Sequence, residues 1–147
     1  MSDINVVLIE DHDLTRIGLR TALKQQPGIQ VLDEAPNATL GLKMLQTVQP
    51  DVAIVDIGLP DMDGIELTQK FRQLQAENEL GNTKILILTM HDSEDAVLAA
   101  FAAGADSYCM KDVSIDKLVD AIHATQADCS WIDPAIANVV LHQMRKD

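Results

Sequence analysis

Runs of apolar, largely β-branched residues alternate along this chain with segments whose apolar positions recur at helical spacing. The runs at residues 5–9 (NVVLI), 29–35 (IQVLDEA), 52–55 (VAIV), 84–89 (KILILT) and 107–110 (SYCM) predict strands. Between them, Leu19, Ala22 and Leu23 mark a first helix, and Gly41, Met44, Leu45 and Val48 a second. Leu67, Phe71 and Leu74 mark a third, Val97, Ala100 and Phe101 a fourth within 92–103, and Ile115, Leu118, Val119 and Ile122 a fifth. Pro27-Gly28, Pro50 and Gly104 close the first, second and fourth. The stretch RQLQAENELGNTK before the fourth strand predicts an extended third helix and a mobile polar loop.

Strict β/α alternation over residues 4–125 implies an α/β fold with a parallel sheet covered on both faces, and the unbroken apolar strands agree. Five strands joined by right-handed crossovers give a flavodoxin-like, doubly wound sheet in the order 2-1-3-4-5. Its functional crevice is expected beyond the carboxyl ends of the strands, where the loops diverge. The final stretch, WIDPAIANVVLHQMRKD, offers an exposed-looking Trp-Ile, Asp133 as N-cap and Pro134 at the first helical position. A short helix follows, with Ile136, Ala137, Val139, Val140, Leu141 and Met144 apolar. The expected organisation is a domain over 1–127 and a C-terminal extension over 128–147.

Composition narrows the class. A chain of 147 residues predicts one domain, and 47% hydrophobic with 23% charged residues is an ordinary soluble profile. No apolar run approaches the roughly 20 residues of a membrane span. Acids stand where a signal peptide needs bases, so a cytoplasmic location is expected. The formal net charge of −12 repels phosphate backbones and argues against nucleic-acid binding by this chain itself. Cys109 and Cys129 lack zinc-site spacing, and His12, His91, His123 and His142 share no i, i+4 pattern, so zinc or copper is not expected. Cys109 reads as a small core residue.

The strand ends carry the chemistry. The first delivers Glu10 and Asp11, the third Asp56, the fourth Thr89 and the fifth Lys111. Singly, these are ordinary: residues 10–13 can cap a helix, Asp56 can shape a turn, Lys111 can be solvated. Converging on one edge, three carboxylates raise one another's pKa unless a cation joins them. Mg²⁺ suits a few carboxylates plus water and phosphate oxygens. With a lysine and a hydroxyl beside it, such a site is equipped for phosphoryl transfer, with Asp56 as nucleophile.

The motifs IEDHD, IVDIGLPDMDG, ILTMHD and GADSYCMKD, in this order and spacing, resemble the receiver domain of two-component response regulators over residues 4 to 125. The resemblance implies a CheY-like fold and a sensor histidine kinase as phosphoryl donor to Asp56. It implies Mg²⁺ held by Glu10, Asp11, Asp56 and the backbone carbonyl of Gly58, with Thr89 and Lys111 touching the acyl phosphate. Thr89 and Tyr108 occupy the positions of the family's switch pair, and Gly58 and His91 those that tune dephosphorylation. Lys111 is followed by Asp112 where many members have proline, which leaves the geometry of that peptide bond open.

The stretches EDHDLTRIGLRTAL and LTMHDSEDAVLAAFAAGADSYCMKD look like the NarL/FixJ subfamily, whose members usually carry a LuxR-type DNA-binding domain absent from this chain. Control of transcription through such a domain, and a homodimer on phosphorylation, are the expectations that follow. The alternative is a stand-alone or pseudo-receiver interaction module. A dehalogenase-like phosphatase is disfavoured because Gly58 stands where a second acid is needed. Glu10 and Asp11 would repel a flavin phosphate, and no GxGxxG follows the first strand.

Overall fold

The computed structural model describes residues 3–146, leaving aside the side chain of residue 135. Five parallel strands, β1 (Ile4–Ile9), β2 (Ile29–Ala35), β3 (Val52–Val55), β4 (Lys84–Thr89) and β5 (Ser107–Met110), form one sheet in the order β2-β1-β3-β4-β5. The helices are α1 (Asp13–Lys24), α2 (Ala38–Val48), α3 (Gly64–Glu77), α4 (Glu94–Ala102), α5 (Ile115–Gln126) and α6 (Pro134–Lys146).

Alternation along the strands divides the core into two layers. Val6, Leu8, Ile54, Leu86, Leu88 and Cys109 face Leu23 of α1 and Leu118, Ala121 and Ile122 of α5. Val7, Ile9, Val55, Ile85, Ile87 and Tyr108 face α2, α3 and α4. Every residue of β3 is buried, as the central strand of a doubly covered sheet must be. The edge strand β2 instead exposes Asp33 and carries a register shift opposite Val6 and Val7, features that discourage pairing with another chain.

Two side-chain hydrogen bonds anchor the loop after α3. Thr83 is buried and donates from Oγ1 to the Pro50 carbonyl at 2.6 Å, while the Gln75 amide donates to the Gly81 carbonyl at 3.1 Å.

The C-terminal segment departs most from expectation. Trp131 and Ile132, read as exposed, are partly buried, and Ile132 pairs in parallel with Tyr108 as a sixth, one-bridge strand on the β5 edge. Asp133 is buried, and its carboxylate accepts from the Met110 N–H at 3.4 Å. Beyond it Ile136, only 2% exposed, enters the same core layer as Tyr108 and brings α6 against α4. The extension thus packs against the domain through Ile132 and Ile136.

Candidate functional site

Sheet hydrogen bonding continues one residue past the strand ends and places the site. Glu10 N–H donates to the Ala35 carbonyl at 3.0 Å, Asp56 N–H to Ile9 at 3.1 Å and Lys111 N–H to Thr89 at 2.9 Å. These three side chains thus leave rigid ladders, not flexible loops.

The acids that follow Asp56 have separate duties. Asp61 accepts from the Ala38 and Thr39 N–H groups at 2.8 and 2.9 Å and from the Thr39 hydroxyl, capping α2 from across the loop. Those bonds hold its carboxyl down at about 2. Asp63 caps α3 by accepting from Glu66 N–H at 2.8 Å. Asp56 is left to face the crevice. A Cβ on Gly64 would lie 2.1 Å from the Asp56 carbonyl oxygen, so only glycine lets α3 start this close behind the aspartate.

Nor do Glu10 and Asp11 cap α1, whose N-cap residue His12 makes no side-chain capping bond. They point into the crevice. Lys111 Nζ donates to Glu10 Oε1 at 2.5 Å and to Asp56 Oδ2 at 2.8 Å. Glu10 and Asp56 are buried, and Asp56 Oδ1 accepts from Gly58 N–H at 3.3 Å. Burial pushes both carboxyls up, but the pair resolves in opposite directions. Glu10 ends above its ordinary value through burial and its hydrogen bond with Asp56. For Asp56 the hydrogen bonds with Glu10 and Lys111, the lysine charge and the Thr89 hydroxyl outweigh burial and bring its pKa down. Of the two, the arrangement favours the charged form more strongly at Asp56.

Glu10, Asp11, His12 and Asp56 each offer one ligand atom within 4.8 Å of the others. Glu10 Oε2 and Asp11 Oδ1 are buried there without hydrogen-bond partners. A hard divalent cation is the group that would satisfy them, so the donor set fits Mg²⁺. His12, expected near the site from its place after the first strand, joins this group with Nδ1 3.2 Å from Asp11 Oδ1.

Thr89 is wholly buried, and its Oγ1 accepts from His91 N–H at 3.3 Å. Tyr108 is also wholly buried, and its hydroxyl donates to the His91 carbonyl at 2.6 Å. A Cβ on Gly58 would sit 3.8 Å from His91 Nε2 and 4.0 Å from Asp56 Oδ2, so Gly58 lies between His91 and Asp56. The Lys111–Asp112 bond is trans, there being no cis peptide among the described residues.

Sequence reading missed Arg16. From α1 it donates to the Glu10 carbonyl at 2.7 Å and pairs with Asp13 and Glu34, anchoring the backbone that presents Glu10. The only trace of it in the sequence is a basic residue six positions after Glu10 in an acidic chain.

The family model for the response regulator receiver domain matches residues 6–123. The chain belongs to this family. Among curated relatives, it is 35% identical over 97% of its length to the transcriptional regulatory protein LiaR of Bacillus subtilis. It is 28% identical over 95% to the nitrate/nitrite response regulator NarL of Escherichia coli. It spans 65% and 62% of those proteins' lengths. A crystal structure of a LuxR-family two-component response regulator from Aurantimonas sp. SI85-9A1 superposes with a TM-score of 0.88 at 33% identity, covering 98% of this chain and 99% of that one. The signal receiver domain of the response regulator NarL from Mycobacterium tuberculosis gives 0.78 at 28% identity, over 86% and 98%. Within the response regulators, this receiver is of the LuxR type. Among the described residues no helix is long and apolar enough to cross a membrane.

Proposed function

We propose that this receiver accepts a phosphoryl group on Asp56 from a sensor histidine kinase, with Mg²⁺ held by Glu10, Asp11, Asp56 and the Gly58 carbonyl. The observation that carries the reading is the Lys111 bridge between Glu10 and Asp56 beside two buried carboxylate oxygens that accept no hydrogen bond and have His12 Nδ1 as a neighbour. When bound, Mg²⁺ supplies charge neutralisation for the incoming phosphoryl oxygens. Lys111 neutralises what remains as a point cation, and the Thr89 hydroxyl donates to a phosphoryl oxygen. Receivers are not conventional enzymes; transfer to Asp56 and its later hydrolysis are self-catalysed events of this one site. Gly58 leaves the line of approach to Asp56 free of a side chain and His91 stands beside it, so the two positions together tune dephosphorylation.

Thr89 and Tyr108 are the switch pair, a role supported by their shared contact with His91. A phosphoryl group adds about two negative charges and strong acceptors, enough to bias this contact. The output is control of transcription through a LuxR-type DNA-binding domain beyond residues 1–127 and the 128–147 extension, with homodimerisation on phosphorylation and a cytoplasmic setting. Titration with beryllofluoride and Mg²⁺, followed by ¹⁹F NMR, tests the reading. Stoichiometric binding lost in Asp56→Asn supports it; a folded wild type that binds nothing favours a pseudo-receiver module.

A further inference from the structure

The segment after α5 engages β5 at the switch tyrosine. Trp131 N–H donates to Ser107 Oγ at 2.9 Å, Tyr108 N–H donates to the Trp131 carbonyl at 2.9 Å, and Asp133 N–H donates to the Tyr108 carbonyl at 3.0 Å. Both backbone polar groups of Tyr108 are thereby committed to residues 131–133. Its ring shares a core layer with Ile136 of α6 and Val97 and Ala100 of α4, and stands 6.3 Å from Phe101. At the far end of α6, Arg145 lines the same surface cleft as Glu94 in the acidic first turn of α4.

The other side of Tyr108 leads to the acceptor. Its hydroxyl holds the His91 carbonyl, and His91 N–H reaches Thr89 Oγ1. The Thr89 carbonyl in turn accepts from Lys111 N–H at 2.9 Å, and Lys111 Nζ reaches Asp56 Oδ2 at 2.8 Å. For the ring to turn outward, it must release His91 and give up its packing against Ile136. A docked segment therefore favours the inward ring, and the inward ring fixes the loop that frames Asp56. Tyr108 is a single element whose position both ends bias, which is the physical requirement for coupling.

We propose that docking of residues 131–146 onto β5 and α4 and occupancy of Asp56 by a phosphoryl group stabilise one another through Tyr108. The inference rests on the reading of Asp56 as phosphoryl acceptor. The extension is then the element that carries the state of Asp56 to whatever follows α6. Coupling is reciprocal, so its strength is the same measured from either end.

The test uses the whole chain, beryllofluoride with Mg²⁺ as the phosphoryl mimic, and two readouts. Amide hydrogen exchange at Tyr108, Trp131 and Asp133 is expected to slow about tenfold on binding, within the usual range of such couplings. Emission of Trp131, the chain's single tryptophan, is expected to shift with it. Ile136→Asp, which expels α6, is expected to weaken beryllofluoride binding about tenfold, and Ile136→Val to leave it within about twofold. In a Tyr108→Ala background, Ile136→Asp should cost nothing further. Asp56-dependent binding with no response at residues 131–133 overturns the inference and leaves the receiver reading standing. No binding by the wild type overturns both. If Ile136→Asp does not fold, exchange in the wild type decides.

Discussion

Lys111 Nζ stands 2.8 Å from Asp56 Oδ2, joining residues 55 positions apart, and the same ammonium reaches Glu10. Lys111→Ala leaves two buried carboxyls facing one another without their cation. The expected result is loss of phosphoryl acceptance and a destabilisation of about 1–3 kcal/mol. The loss should grow with pH. Glu10 has its folded pKa raised, so the unfolded chain gives up the Glu10 proton first and stability falls as pH climbs through that interval. Without the ammonium, which lowers the Glu10 pKa, the interval extends upward. Urea denaturation at pH 5 and pH 8 checks this, and an equal loss at both would count against it.

Gly64 cannot take a side chain without moving Asp56. Gly64→Ala would put Cβ 2.1 Å from the Asp56 carbonyl oxygen and 3.0 Å from Ile57 Cα. Overpacking against backbone predicts a cost of about 1–3 kcal/mol. Displacing the nucleophile predicts roughly 100-fold slower phosphoryl acceptance. Denaturation midpoints and acetyl phosphate labelling rates measure the two effects; an alanine variant with native rates would contradict the assigned role.

Asp61 gives the fold an acid-sensitive clasp. Its carboxyl titrates at about 2 against an ordinary 3.8, because the Thr39 hydroxyl and the Ala38 and Thr39 N–H groups favour the charged form. A depressed folded pKa contributes stability that is present above the unfolded value and is lost as pH falls from about 4 to about 2. Asp61→Ala should melt below the wild type at pH 7, and the two curves should converge near pH 2. Thermal melts across that range check the convergence.

The two cysteines should behave differently. Cys109 is wholly buried, and burial together with Asp133 pushes its thiol up to about 12, whereas Cys129 is exposed. Reactivity follows the thiolate and its access. A chromogenic disulfide reagent should label Cys129 alone in the native protein and both residues in denaturant. Native labelling of Cys109 would show that β5 opens readily.

Strands buried on both faces announce themselves as unbroken apolar runs, so the predicted 84–89 and 107–110 coincide with β4 and β5, and the first strand differs by one residue. Convergence of Glu10, Asp11, Asp56, Thr89 and Lys111 was legible too, because strand order alone sends them to one edge. What escaped depended on proximity in space. Trp131–Asp133 has no strand period; three residues pair only because β5 presents a free edge beside them. Arg16 serves Glu10 through a backbone carbonyl, and carbonyls leave no mark in sequence. Asp61 and Asp63 lie in one loop after Asp56, and only their donors show that they cap different helices.

The central claim is that Asp56 is the phosphoryl acceptor. Intact-protein mass spectrometry after incubation with acetyl phosphate and Mg²⁺ tests it most directly, with Asp56→Asn alongside. The account predicts a gain of one phosphoryl group in the wild type, dependent on Mg²⁺ and missing from the variant. An unmodified, folded wild type, or the same adduct on Asp56→Asn, would contradict it.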